Sequence, residues 1–406
     1  MKGRYMMKNI KLIPTIIVKY MIQFVYTCFC LFFKVKQNKV TFASYRSDKL
    51  TGNLYFIWKE LGKQYPNFES HFAFKKLNSS FFGKFDYLVH MVKACYELAT
   101  SKYFIIDDFY FPIYVIKPRK GMEIIQLWHG SGALKKFGLS TIGKSYGPSL
   151  DYLKHVKIHS NYSKVYVSSS EVIPFYAEAF GMPKEQIYPL GIPRNDYFFQ
   201  SDEINKLKDS FYQDFPELRS KKLILYAPTY RGKSHYQGSF ICPMNIGQMK
   251  ASLQSEYALL IHLHPYMQSG LVLQDDEKEF AYHIYEKYTI QELLVLTDLL
   301  ITDYSTVFVD FSLLCRPIAF FTNDLQDYIE ERDFYYDYET IIPGPLFNET
   351  VALIEWIQKG NFDLQAIRQF RARFFDYLDG NTSKRIVRHF VKIEKESKIE
   401  SQEKVS

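Results

Sequence analysis

From residue 40 onward the chain alternates short apolar runs with amphipathic stretches, and that alternation is the tightest constraint on its fold. The runs fall at 40–44, 103–107, 123–128 and 165–168, then at 223–227, 258–263, 299–302 and 318–321. Most are β-branched or aliphatic throughout rather than alternating, the pattern of parallel strands buried on both faces. Helical stretches lie between them, so the chain reads as repeated βα units in two blocks. A length of 406 residues fits two such domains, at roughly 100–200 residues each. The expected divisions are an arm over 1–37, a first βα domain over 38–200, a charged linker over 201–222, a second βα domain over 223–393 and a charged tail over 394–406.

Charge is unevenly placed. No acidic residue precedes Asp48, yet Lys2, Arg4, Lys8, Lys11, Lys19, Lys34, Lys36, Lys39 and Arg46 do. With those nine set aside, the 51 basic residues fall to 42 against 44 acidic ones, so the net charge of +7 belongs to the arm. A nucleic-acid enzyme spreads positive charge over a folded face instead, and no nucleic-acid partner is expected. The arm also holds an apolar run from Leu12 to Phe33 interrupted by Lys19 and Gln23. No small-x-small cleavage site follows it, which argues against a signal peptide. Three readings stay open. An interfacial helix would place its apolar side in the headgroup boundary and its basic residues on anionic lipid. A helix buried in the first domain and a membrane span are the others, and a span would place Lys19 in hydrocarbon. The interfacial reading is preferred.

Standard phosphate loops are missing. There is no G-x-x-x-x-G-K-[ST], and the G-x-G-x-x-G begun by Gly130 and Gly132 has Lys135 where its third glycine belongs. The five cysteines are scattered without C-x-x-C spacing, so neither a disulfide framework nor a zinc site is indicated.

Three segments can carry chemistry. Trp128-His129-Gly130-Ser131-Gly132-Ala133-Leu134-Lys135-Lys136 directly follows an expected strand, so His129 should emerge at the carboxyl edge of a parallel sheet, where such sheets place ligands. A histidine there can take a proton from a hydroxyl nucleophile, with Lys135 and Lys136 supplying positive charge; the alternative is a histidine packed at a strand end. His262-Leu263-His264-Pro265 ends another strand, where His264 suits phosphate better than a metal pair, since no third ligand lies nearby in sequence. Thr302-Asp303-Tyr304-Ser305-Thr306 turns a strand straight into a helix, whose free N–H groups and hydroxyls can bind an anion, or simply cap the helix. Arg231, in Tyr226-Ala227-Pro228-Thr229-Tyr230-Arg231, and Arg194, in Gly191-Ile192-Pro193-Arg194-Asn195-Asp196, can each pair with a diphosphate or lie on the surface.

Taken in order, W-H-G-S-G-A-L-K-K-F-G, G-I-P-R-N-D, Y-A-P-T-Y-R, H-P, I-T-D-Y-S-T-V-F-V-D-F, R-D-F-Y-Y-D-Y and I-I-P-G-P resemble the CDP-glycerol glycerophosphotransferase family of teichoic-acid synthesis, over roughly residues 40–390. The resemblance implies a GT-B fold, α/β with two Rossmann-like domains facing a central cleft, and attachment to the cytoplasmic membrane face, consistent with the arm. Within the family the chain looks like the short glycerol-phosphate primase type. It carries only the arm before the shared region, and its H-G-S-G-A-L-K-K-F-G is one residue longer than the usual polymerase form.

The implied reaction is attack by a hydroxyl of an undecaprenyl-diphosphate-linked disaccharide, GlcNAc-ManNAc, on the β-phosphate of CDP-glycerol, with release of CMP. His129 would remove the proton. His264, Ser305 and Thr306 would hold the diphosphate and stabilise charge developing on it. Lys135, Lys136, Arg194, Thr229, Arg231 and Asp303 complete the expected substrate contacts, Asp303 also orienting its loop. No metal ligand set is visible and no protein-bound cofactor is implied, a soluble Mg²⁺ bridging the phosphates being left open. The implied partners are CDP-glycerol, the lipid-linked acceptor, an anionic membrane surface and other wall-polymer enzymes. Three other readings stay open: a poly(glycerol or ribitol phosphate) polymerase of the same family, a GT-B enzyme using a nucleotide sugar, and a catalytically silent membrane scaffold.

Overall fold

Twelve strands, all in parallel pairs, make two six-stranded sheets in the computed structural model, which describes residues 2–76, 81–229, 240–263 and 271–391. The first sheet contains β1 (Lys36–Ser44), β2 (Glu69–Phe74), β3 (Ser101–Ile106), β4 (Glu123–Gln126), β5 (Lys164–Tyr166) and β6 (Ile187–Tyr188) in the order β2-β1-β3-β4-β5-β6. The second contains β7 (Lys222–Tyr226), β8 (Tyr257–Ile261), β9 (Ala281–His283), β10 (Leu299–Thr302), β11 (Ile318–Phe321) and β12 (Leu346–Phe347) in the order β12-β11-β10-β7-β8-β9. All eight expected strands are present. The four unforeseen ones, β2, β6, β9 and β12, are the four sheet edges. An edge strand has one neighbour and need not be apolar throughout, so the continuous-run signal misses it.

The strand orders decide where ligands can bind. In the first sheet the chain leaves β1 toward β2, then returns to place β3 on the other side, so the order reverses between β1 and β3. In the second it reverses between β7 and β10. The carboxyl ends of strands flanking such a reversal open a crevice that crossover segments do not fill.

The chain divides into two units, each with its own core. The first comprises residues to His129, Phe137–Asp196 and the chain from Asn381; the second comprises Gly130–Lys136 and Tyr197–Gly380. Two features depart from the sequence reading. Ser201–Asp214, read as linker, is a helix whose Phe211 is fully buried against Phe215 and Tyr288 in the second unit. The last helix, Thr382–Phe390, read as part of the second domain, buries Ile386, Val387 and Phe390 in the first core beside Val40, Leu54 and Ile105. Its start is capped from far away in sequence: Thr382 N and Ser383 N each donate to Asp196, at 2.8 Å. A carboxylate on these otherwise unpaired N–H groups is the favoured end for a helix. Gly191 has φ +103, and a Cβ there would meet the Thr382 side chain at 2.7 Å, so this approach requires glycine.

The amino-terminal helix, Lys2–Phe32, is docked along one side only. Ile22 and Tyr26 are buried, Gln23 Nε2 donates to Val115 O at 2.7 Å, and Phe29 and Phe33 meet Tyr96 of the helix Phe81–Thr100 edge-on. The other side exposes Ile17 (62%), Phe24 (70%) and Leu31 (77%). Residues 12–32 are long and apolar enough to cross a membrane by length and composition.

Burial pushes His90 and His159 of the first unit down to about 4, with Lys75 and Lys93 adding to the effect at His90. Each titrates near 6.5 when unfolded. The unfolded chain therefore binds the extra proton between about pH 6.5 and 4, and each histidine's contribution to stability is lost as pH falls through that window. Asp107, raised to about 6, acts with the opposite sign, so the comparison must isolate one group. His159 has φ +60, a conformation that asparagine tolerates. His159→Asn should lower the melting temperature most at pH 7, with the gap to wild type narrowing toward pH 5. A gap independent of pH would mean that His159 does not titrate with unfolding.

Candidate functional site

Both order reversals coincide with residues singled out from sequence. In the first unit β1 runs out into Ser44, Tyr45 and Arg46, β3 into Asp107 and Asp108, and β4 into Leu127, Trp128 and His129. Arg46 Nη1 lies 2.7 Å from Asp108 Oδ2, across the reversal. His129 Nδ1 lies 3.0 Å from the same oxygen. That nitrogen is buried and, beyond this 3.0 Å approach, which is not aligned as a hydrogen bond, meets no partner among the described residues, while the side chain as a whole is 40% exposed. The open part of the ring is therefore the Nε2 edge.

The histidine's backbone is fixed as firmly as its ring. Trp128 has φ +54, which a non-glycine residue adopts at a cost of about 1–2 kcal/mol. The surroundings enforce it. Trp128 N donates to Gln126 Oε1 at 2.8 Å and Asn53 Nδ2 donates to Trp128 O at 2.8 Å. The indole packs among Phe137, His159 and Phe180. Arg194 N donates to Asn53 Oδ1 at 3.0 Å, and Arg194 Nη1 donates to the carbonyl of His129. Strain held at a ligand-facing strand end is characteristic of functional sites.

The two neighbouring carboxyls are driven apart. Burial raises Asp107 to about 6, with the charge of Asp108 adding to it. Burial also acts to raise Asp108, but His129, Arg46 and the Phe109 N–H together hold it below the usual carboxylate value. Asp108 is thus the more readily ionised of the two, with Arg46 and His129 beside it, while Asp107 holds its proton below about pH 6.

In the second unit the reversal brings Thr229, after β7, to Asp303, after β10. Asp303 Oδ1 accepts from Thr229 N at 2.7 Å and from Ser305 N at 3.2 Å, and Tyr338 donates its hydroxyl to Asp303 O at 2.9 Å. Ser305 Oγ accepts from Val307 N at 3.4 Å, and Thr306, at the N-cap of the helix Val307–Phe311, makes no side-chain capping bond. Thr229 Oγ1 is buried with no partner among the described residues. The segment 131–136 docks against the same region. Ser131 Oγ donates to Asp310, Lys135 Nζ lies 2.7 Å from the hydroxyl of Tyr328, and Lys136 Nζ lies 3.1 Å from Asp333 Oδ2. Tyr328 in turn stacks on Tyr304 at 3.9 Å.

Of the expected site residues, His129 and Arg194 therefore meet in the first unit, Arg194 bracing the His129 loop. Lys135, Lys136, Thr229, Asp303, Ser305 and Thr306 gather in the second. Arg231 and His264 lie outside the described residues. His262 is half-buried with Nδ1 3.0 Å from Ile284 O, and burial lowers its pKa. Sequence reasoning missed Asp108, Arg46 and Asn53. Asp108 had a usable signal, since it directly follows the apolar run 103–107. Arg46 and Asn53 had none, because only the strand order brings them to His129.

Two parallel α/β units with polar groups collected at their order reversals define a ligand-binding two-domain α/β protein. The chain belongs to the CDP-glycerol:poly(glycerophosphate) glycerophosphotransferase family, whose family model matches residues 24–392. It is 42% identical to a teichoic acid ribitol-phosphate primase of Bacillus spizizenii, covering 87% of this chain and 90% of that protein. It is 39% identical to a teichoic acid poly(ribitol-phosphate) polymerase of the same organism, covering 90% of this chain but only 58% of that protein. A teichoic acid glycerol-phosphate primase of Bacillus subtilis is 34% identical, with 74% of this chain and 76% of that protein covered. In fold, the chain is similar to the wall teichoic acid polymerase TagF, with a TM-score of 0.72 at 22% identity over 95% of this chain and 96% of that one. It is also similar to a UDP-GlcNAc 2-epimerase from Neisseria meningitidis, with a TM-score of 0.53 at 13% identity over 87% and 100%.

Proposed function

We propose that this chain is an alditol-phosphotransferase of the primase type, adding one alditol phosphate from a CDP-linked donor to a lipid-linked disaccharide and releasing CMP. The observation that carries this reading is the 42% identity to a primase over 90% of its length, where two polymerases of the same organism match at 39% over 58% of one and at 31% over 91% of the other. That 42% identical relative favours CDP-ribitol as donor. CDP-glycerol is the second reading, from the motifs and from the family model's own description.

In the reaction, an acceptor hydroxyl oxygen bonds to the β-phosphorus as the bond to CMP breaks. His129 takes the hydroxyl proton through Nε2. The hydroxyls of Ser305, Thr306 and Thr229, with Lys135 and Lys136, bind the donor diphosphate, joined by His264 and Arg231. Charged hydrogen bonds of this kind contribute about 1.5–3 kcal/mol each.

The test is to incubate the protein with a synthetic lipid-linked disaccharide and CDP-ribitol, CDP-glycerol or a UDP-sugar, following nucleotide release and product mass. Release of CMP with one added alditol phosphate is expected. A ladder of additions would make the chain a polymerase, UDP release a hexose transferase, and no turnover with any donor a scaffold.

The exposed side of the amino-terminal helix is the surface that meets the cytoplasmic face of the membrane. Its support is the row Ile17, Phe24 and Leu31 within a segment that, up to Lys36, has seven basic residues and no acidic one. Because Ile22 and Tyr26 belong to the packed side, deleting the helix would uncover the first unit and confound the test. Replacing Ile17, Phe24 and Leu31 together by Gln should abolish sedimentation with anionic vesicles and leave the melting temperature nearly unchanged. Wild-type binding should weaken as salt rises, since screening acts on exposed charge. Vesicle binding retained by the triple variant would defeat this assignment.

A further inference from the structure

We infer that Asp108 is a positioning residue for His129, its carboxylate holding the Nδ1–H so that Nε2 is the nitrogen left to accept a proton. The inference rests on the proposed role of His129 as base and adds the group that sets its tautomer. A neutral imidazole has one N–H and one lone pair, and either nitrogen can hold the proton. An ionised carboxylate accepts and cannot donate. With Asp108 Oδ2 at 3.0 Å from Nδ1, the proton belongs on Nδ1 and the lone pair on Nε2, at the open edge of the ring.

The carboxylate is built to stay charged and still. Arg46 lies on Oδ2 at 2.7 Å, Phe109 N donates to Oδ1, and Gln126 Nε2 donates to the Asp108 carbonyl at 3.0 Å. Asp107 is the other acid at this strand end, and Arg194 donates to the His129 carbonyl. When Nε2 takes the hydroxyl proton, the resulting imidazolium lies against Asp108. The same carboxylate thus orients the base before transfer and stabilises its charge afterwards, as in other histidines paired with a buried acid. A purely structural Asp108, present to neutralise Arg46, would have no reason to select between histidine tautomers.

The experiment uses the full-length protein with ¹⁵N-labelled histidine, the His129 signals being assigned by their loss in His129→Gln. At a pH where the ring is neutral, the wild-type shifts should report Nδ1–H and an unprotonated Nε2. In Asp108→Asn the amide can donate to Nδ1, so the tautomer should invert or mix. Turnover should fall by about 10²–10⁴-fold, while KM for the CDP-alditol stays within about threefold. Arg46→Gln should retain the wild-type tautomer. The inference is overturned by an Nε2–H tautomer in the wild type, a reading that needs no variant to fold. It is also overturned by an Asp108→Asn protein with wild-type turnover. Full turnover in His129→Ala would instead remove the base assignment, a result separate from whether Asp108 sets the tautomer.

Discussion

His129→Ala is expected to lower turnover by about 10²-fold or more, the scale of losing a general base, with donor affinity nearly unchanged. The structure makes this a clean substitution. The bond from Arg194 goes to the His129 carbonyl and that from Asn53 to the Trp128 carbonyl, so the loop keeps its two main-chain ties without the imidazole. Trp128 loses one ring neighbour at 4.5 Å but keeps Phe137 and Phe180. The groups proposed to bind the donor diphosphate belong to the second unit. Steady-state kinetics with calorimetric titration of the donor separate the two quantities. Near-normal turnover would remove His129 from the chemistry, and a large loss of donor affinity would move it into the binding site.

Asp303→Ala should be the most disruptive single change in the second unit, while Asp303→Asn should be mild. Asp303 is buried, and one of its oxygens, Oδ1, accepts from both Thr229 N and Ser305 N. Alanine leaves both N–H groups without that acceptor, at about 1–3 kcal/mol each. A melting temperature lowered by roughly 4–24 °C follows, at about 2–4 °C per kcal/mol for a domain of this size. Donor affinity should fall at least tenfold as the Ser305–Thr306 turn loosens. Asparagine presents the same carbonyl oxygen and keeps both bonds. Scanning calorimetry and donor titration on the two variants decide the matter. An alanine variant that melts with the wild type would show that water replaces the carboxylate. An asparagine variant as damaged as alanine would show that the negative charge, rather than the acceptor geometry, is what the turn requires.

These two residues also show what kind of information the chain carries locally. His129 and Asp303 were recognisable because each follows an apolar run that must be a strand, and residues after such runs reach a sheet's carboxyl edge. Asp108 satisfies the same rule, but no glycine, serine or threonine in the adjoining stretch 103–112 marks it. Arg194, expected to meet a diphosphate, also sets one guanidinium nitrogen on the His129 carbonyl, a partner 65 positions away. Asp196, in the same G-I-P-R-N-D segment, caps a helix 186 positions further on. Neither partner leaves a trace in local sequence.

The sequence by itself determined the two βα blocks and their eight interior strands, because a strand covered on both faces is mostly apolar, and its polar exceptions, such as Thr41 and Gln126, find buried hydrogen bonds. It also determined the strand ends on which a base and an anion-binding turn could sit. Only the tertiary structure decided the edge strands, which face fewer neighbours and tolerate polar residues. It alone decided the return of Thr382–Phe390 to the first unit, since an amphipathic helix specifies an apolar face but not which core receives it. The reversals between β1 and β3 and between β7 and β10 likewise come from strand order. They set Arg46 and Asp108 beside His129 and Thr229 beside Asp303, across separations at which the chain has no local preference to record.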